Sequence, residues 1–355
     1  MTPNRHYFRL AVTIIILLIF SGCASLNYYG QSIQGQLEVL KKRQNINNLL
    51  QKNSISGVLR NKLNTVLDLR NFSIQHLGLP QNDSYLSYAD LERDYVIWNI
   101  FANEEFSLQP LNWCYLIVGC LSYRGYFSKS DAQQHAVELK KQGYDIYLGG
   151  VSAYSTLGWF DDPVLNTMLR WSDIRLATVI FHELAHQQLY IKNDTEFNES
   201  YAEAVAHIGV TKWLEKKSNQ SLLKEYQQSQ FQKKEFVSLI MHYKSKLNNV
   251  YQSEKSDDEK RKRKQELIKK MSDDYLIISK SWSKNTYKTW FSKDINNAKL
   301  TAIVTYRQYV SSFLDIYEKL QKDLTKFYSF TRSLSTCKVM ERKEILKNRE
   351  IEFEC

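Results

Sequence analysis

The segment DIRLATVIFHELAHQQLY, residues 173–190, restricts the possible folds of this chain more than any other stretch. Leu176, Val179, Ile180, Leu184 and Leu189 recur at helical spacing, which predicts a helix that buries an apolar face. His182 and His186 are set into it four residues apart, with Glu183 directly after the first. Residues at i and i+4 stand one turn apart on one face, so two imidazoles there can share a single ion. Polar rings buried without partners are costly, so a fold that buries this helix must also give both rings something to bind. Glu183 projects beside them, where a carboxylate can take a proton from a water activated by a metal. The spacing therefore predicts a site for one zinc ion, with His182 and His186 as metal ligands and Glu183 as the catalytic base.

A second helix is expected over TEFNESYAEAVAHIGVTKWL, residues 195–214, with its N-cap near Thr195 and apolar or small residues at 202, 205, 206 and 210. Glu199 follows His186 by thirteen residues, enough for a turn and an antiparallel return. Glu203 lies one turn further on and His207 continues the stripe. An HExxH helix followed by NESYAE resembles the gluzincin metallopeptidases, the thermolysin-like group. That resemblance implies Glu199 as the third metal ligand and Glu203 as the acid that orients a histidine ligand, since an imidazole ligand needs its other N–H held by an acceptor. The metzincin pattern would place a third histidine at residue 192, which is lysine.

A wider resemblance runs from about residue 30 to residue 335. It is carried by WCYLIVGCLSYRGYF (113–127), GGVSAYSTLGWFDDP (149–163), HELAHQ and NNAKLTAIVTY (296–306). Together these segments resemble the bacterial family described as predicted aminopeptidases, which implies peptide substrates and a thermolysin-like zincin core. In gluzincins the strand before the motif helix pairs with the substrate backbone. Gly149, Gly150, Ala153 and Tyr154 stand where that substrate-binding edge belongs, and the glycines would permit close backbone approach. The GxMEN glutamate that gluzincin aminopeptidases use to hold the substrate amine is absent, and Asp161 or Asp162 could supply that charge. Related enzymes stabilise the developing oxyanion with a tyrosine or histidine that follows the motif. Here Tyr306 is the expected donor, with His207 and Tyr201 as alternatives.

The expected class is α+β, with a small sheet before the motif and a mainly α-helical C-terminal region after it. Helices are expected over 27–70, with Leu37, Leu40, Ile46, Leu49 and Leu50 at near-helical spacing. Residues 95–108 and 113–127 read as strands, 128–143 as a helix closed by Gly143, and 144–150 as a further strand. The expected divisions are a signal segment 1–22, an N-terminal helical segment 23–75, and a zincin core 76–216. A helical region with a charged hairpin, 217–336, and a tail, 337–355, complete the chain.

Arg5 and Arg9 precede LAVTIIILLIF, an apolar run too short to span a bilayer, and Ser21-Gly22 stand directly before Cys23. This resembles the lipobox of bacterial lipoproteins, in which the cysteine is lipidated. Ala24 after it implies an outer-membrane anchor facing the periplasm. Removing 1–22 takes two arginines and no acids from a net charge of +10, leaving +8. Much of that charge lies in EKSDDEKRKRKQELIKK (254–270), a mixed-sign run that reads as a solvated helix face. No nucleic-acid fold accompanies it, so a nucleic-acid partner is not expected. The four cysteines other than Cys23 suggest two disulfides in an oxidising compartment. Cys114–Cys120 and Cys337–Cys355 are the shortest loops among three possible pairings. Two function classes remain: a membrane-anchored zinc peptidase, exo- or endo-acting, and a non-catalytic lipoprotein that keeps a peptidase fold as a scaffold.

Overall fold

The computed structural model describes residues 28–115, 119–156, 160–283, 286–304 and 309–355. The signal segment with Cys23, and Tyr306, lie outside these residues. No helix among the described residues is long and apolar enough to cross a membrane.

Helix α1 (28–41) ends before Ile46, Leu49 and Leu50, so the apolar residues expected at helical spacing do not share one helix. Strand β1 (Arg43–Asn45) intervenes, and the Asn45 side chain then caps a new helix, α2 (Ile46–Leu50), by accepting from the Asn48 N–H. Nor do they share one face: Leu37 is 47% exposed while Val39, Ile46 and Leu49 are buried. They belong to two differently oriented elements. Helix α3 (Gly57–Leu77) starts on a Ser56 cap and ends at Gly78, whose φ of 64° is left-handed.

Two small three-stranded sheets follow. In the first, β1 pairs antiparallel with β2 (Ser87–Ala89), and β2 pairs parallel with β8 (Val164–Leu165). In the second, β3 (Ile97–Asn103) lies between β6 (Arg124–Tyr126) and β7 (Asp145–Val151), antiparallel to both, which leaves β7 at an edge. Helix α4 (Lys129–Lys141), capped by Ser128, connects β6 to β7 and covers this sheet. The single strand expected over 113–127 is not formed. Instead β4 (Trp113–Tyr115) and β5 (Gly119–Leu121) make a separate two-stranded ladder closed by the Cys114–Cys120 disulfide, and β6 follows. Gly119, at φ 81°, directs the chain there, and the Cys120 N–H donates to Asn193 Oδ1 at 2.8 Å.

Helices make up most of the remainder: α5 (Asn166–Leu169), α6 (Asp173–Gln188), α7 (Thr195–Lys216), α8 (Gln220–Tyr251), α9 (Asp257–Ile278), α10 (Lys288–Phe291), α11 (Asn297–Val304), α12 (Val310–Lys319), α13 (Leu324–Thr336) and α14 (Val339–Asn348). The charged run forms the start of α9, which packs back on α8 as a hairpin. Cys337 and Cys355 form the second disulfide, across the C-terminal tail.

Apolar packing divides into three clusters. The largest joins α3, α6, α7 and α12–α14, while a second lies inside the α8–α9 hairpin and a third lies between α4 and the β6–β3–β7 sheet. At the centre of the first, α6 and α7 approach closely at Gly209. A Cβ there would lie 2.7 Å from carbons of Phe181 and Leu77, so only glycine allows the contact. Asn297 at the start of α11 joins the helical hairpin to the sheet. Its backbone N–H and Lys264 of α9 both donate to Asp145 of β7, and its side chain donates to the Glu104 and Glu105 carbonyls.

Candidate metal centre

Helix α6 begins because Ser172 accepts from the Arg175 N–H, and it buries Leu176, Ile180, Phe181 and Leu184. The chain then turns through 189–194 and enters α7 on an Asp194 cap, one residue earlier than expected. Asn198 holds this turn in place. Its side chain accepts from the Ile191 N–H at 2.8 Å and donates to the Ile191 carbonyl at 2.7 Å, as a strand partner would. The asparagine directly before Glu199 thus fixes how α7 returns along α6.

That return brings three donor atoms together. His182 Nε2 lies 3.1 Å from His186 Nε2 and 3.2 Å from Glu199 Oε2, and His186 Nε2 lies 3.7 Å from Glu199 Oε1. Four ligands at ordinary zinc–N and zinc–O distances in a tetrahedron stand about 3.3–3.6 Å from one another. Among the described residues this trio is the group of His, Cys, Asp and Glu side chains able to hold a metal ion. Two imidazoles and a carboxylate are also the donor types zinc takes.

The electrostatics follow from enclosure. Burial opposes charge on His182, but the hydrogen bond and charge of Glu199 outweigh it and carry the pKa up to about 9. Burial pushes His186 down to about 4 against the pull of Glu199. Burial would also raise Glu199, but the two imidazoles hold it below the usual carboxylate range. A metal that takes these atoms must displace the proton His182 carries, as binding at histidine generally does. Glu183 is lifted to about 7 by burial, with the charges of Glu199 and Asp162 adding to the effect.

Two walls flank Glu183. One is the chain after β7, where the Ser155 hydroxyl hydrogen-bonds Glu183 and also lies 3.2 Å from Asp162 Oδ2. Asp162, 2% exposed, further accepts from the Thr156 N–H at 2.9 Å and the Thr156 hydroxyl at 2.8 Å. The other wall is the loop 79–85. Arg70, buried in α3, donates to the carbonyls of Pro80, Asn82 and Ser84 and so clamps the loop. The loop in turn docks on α6, with Asn82 donating to Gln187 and Gln187 donating to Ser84.

A family model described as "Putative aminopeptidase" matches residues 27–346. The chain belongs to this family. No curated protein and no solved structure matches it.

For this aminopeptidase-family chain, the structure brings together His182, Glu183, His186 and Glu199 and distributes the other expected residues differently. Glu203 is within electrostatic reach of His182, and its carboxylate forms an ion pair with Lys233 of α8. Among the described residues His186 Nδ1 is buried without a hydrogen-bond partner, so Glu203 does not serve as the acceptor for this nitrogen. His207 is turned away to the Tyr226 hydroxyl at 3.1 Å. Tyr201 lies in the aromatic core, stacked with Phe197 and Phe327, because its face of α7 packs inward. Neither alternative oxyanion donor is therefore placed to serve as one.

Gly149 and Gly150 do lie on the edge strand, but the space a Gly150 side chain would need is filled by the Tyr95 ring, 2.5 Å from an ideal Cβ. The close approach at Gly150 is thus an internal one. Ala153 and Tyr154 pack against the main core, and the Tyr154 ring meets Phe127 edge-on. Of the two aspartates, Asp162 faces Glu183, and Asp161 offers its carbonyl to Arg43.

Ser155, Tyr85 and Tyr190 lie near the site without being expected there from the sequence. Tyr190 carried a usable signal, since it stands four residues after His186, and its ring lies 6.3 Å from that imidazole. Tyr85 carried none.

Proposed function

We propose that this protein is a zinc-dependent peptidase, an aminopeptidase built on a thermolysin-like core, with the ion held by His182, His186 and Glu199. The convergence of those three donor atoms at tetrahedral spacing, beside a buried glutamate, carries the reading. Membership of the aminopeptidase family supports peptide substrates. Zinc in such a site supplies Lewis acidity, polarising the scissile carbonyl and easing deprotonation of the attacking water.

The chain's own groups do the rest. Glu183 takes the proton from the water and returns it to the leaving amine, a transfer its position one residue after His182 allows. Ser155 holds the Glu183 carboxylate. Lys233 neutralises Glu203 and keeps that acid from competing for the ion. The edge strand β7 ends at Val151, shortly before Ser155, so a peptide paired along β7 would be delivered toward Glu183. The lipobox-like segment around Cys23 supports an outer-membrane anchor facing the periplasm, which Cys23→Ser should release from the membrane fraction.

The test is metal content with cleavage mapping. The purified protein should hold one zinc and cleave peptides with free N-termini while sparing N-blocked ones. Glu183→Gln should keep the zinc and lose activity by at least about 100-fold, the scale of general-base losses. Loss of zinc in Glu183→Gln, or full activity on blocked peptides, would overturn the assignment or the exopeptidase specificity respectively.

A further inference from the structure

We propose that Tyr85 is a positioning residue for Glu183, its hydroxyl kept unpaired in the resting protein so that it can hold the Glu183 carboxylate during turnover. The inference rests on the peptidase reading above. It begins with strand register. Strands β2 and β8 run parallel with Tyr88 opposite Val164 and Ala89 opposite Leu165. The residues just before each strand therefore lie side by side, and the Tyr85 N–H donates to the Asp162 carbonyl at 2.7 Å. The neighbouring Ser84 touches Gln187, which stands one helical turn after Glu183 on the same face of α6. The two contacts place residue 85 beside Asp162 and next to the turn of α6 that follows Glu183, within reach of the Glu183 charge.

Three features set this tyrosine apart. Its φ is 65°, a conformation bulky residues avoid, and the other six non-glycine residues with positive φ among those described are all exposed, whereas Tyr85 is 1% exposed. Its hydroxyl is buried without a hydrogen-bond partner among the described residues. Burial, with the charges of Glu183 and Asp162, raises its pKa well above the ordinary value, so it remains a proton donor. A buried donor left unpaired costs stability, and a strained backbone adds to that cost.

Hydrogen-bond supply explains the need. A serine hydroxyl carries one proton, and Ser155 stands between two carboxylates. When Ser155 donates to Asp162, Glu183 loses that donor. Asp162 has two further donors from Thr156, so the shortfall falls on Glu183, whose charge acts on the Tyr85 phenol.

Tyr85→Phe keeps the ring and removes the hydroxyl. Zinc content should match wild type, KM should stay within about 2-fold, and kcat should fall about 10-fold or more. The melting temperature should hold or rise by about 1–3 °C, because no partner is stranded. Added to Glu183→Gln, the substitution should cause no further loss, as expected for two residues acting as one unit. A kcat within about 2-fold of wild type overturns the proposal. So does a clear drop in melting temperature, which would mean the hydroxyl has a partner in the resting fold. A zinc-loaded wild type with no peptidase activity would refute the peptidase reading itself and this proposal with it. An active wild type matched by an equally active Tyr85→Phe refutes the role of Tyr85 alone.

Discussion

Asp194 links the candidate site to the far end of the chain, and its removal should be among the most damaging single changes. One oxygen caps α7, the helix that carries Glu199, by accepting from the Phe197 N–H at 3.2 Å. The other accepts from Arg342 of α14 through Nε at 3.1 Å and Nη2 at 2.8 Å. Both side chains are buried, Asp194 at 7% and Arg342 at 4% exposed. Asp194→Ala removes a cap worth about 1 kcal/mol. It also strands a buried guanidinium, which costs about 3–5 kcal/mol when one partner of a buried pair is deleted. The sum, about 4–6 kcal/mol, is a large fraction of the roughly 5–15 kcal/mol that holds a folded protein together. Urea unfolding followed by far-UV circular dichroism should show the midpoint lowered by at least about 1 M. Asp194→Asn keeps the cap and should recover only the smaller share. Asp194→Ala with Arg342→Met removes the stranded charge and should be more stable than Asp194→Ala alone. An Asp194→Ala protein within about 1 kcal/mol of wild type would refute the reasoning, because it would mean that the pair is solvated and the cap dispensable.

On the proposed zinc site, removing Glu199 should matter more than removing its neighbour: Glu199→Ala should strip zinc under mild dialysis, whereas Glu203→Ala should weaken zinc affinity or activity by about 10–100-fold. The reverse order in a metal-content measurement would exchange their roles. His135, on α4, has its pKa lowered by burial and by the charge of Arg124. The unfolded chain therefore takes up this proton first, and stability should be lost as pH falls through about 6.5. His135→Gln should flatten that loss in urea midpoints measured between pH 7 and pH 5, and an unchanged slope would contradict the assignment.

What the sequence revealed, and what it hid, follows from how far apart the interacting residues lie. His182, Glu183 and His186 share one helix, so helical spacing alone groups them, and periodicity with capping predicts the return helix that carries Glu199; the choice of Glu199 on it came from the gluzincin resemblance. The α8–α9 hairpin was legible from local pattern as well. The walls of the site were not. Tyr85 and Asp162 meet because β2 and β8, three and two residues long, pair in parallel across more than seventy residues of chain. No local pattern encodes that register. The pairing of Glu203 with Lys233 likewise depends on where α8 packs, thirty residues on. At 113–127, β-rich composition suggested one strand, but Gly119 with its positive φ and the adjacent disulfide divide it.

The same contrast predicts where substitutions will separate metal binding from turnover. Changes on α6 and α7 act on atoms that meet through neighbouring turns, so on the proposed mechanism they should move zinc affinity and activity together, with Glu183 the exception because its proposed role is toward the water rather than the ion. Changes in the loop 79–85, in Arg70 that clamps it, or in Thr156 that holds Asp162 act on groups outside the proposed ligand set. These should leave zinc in place and alter the rate alone, so a mutant that keeps its metal while losing kcat points to the walls rather than to the ligands.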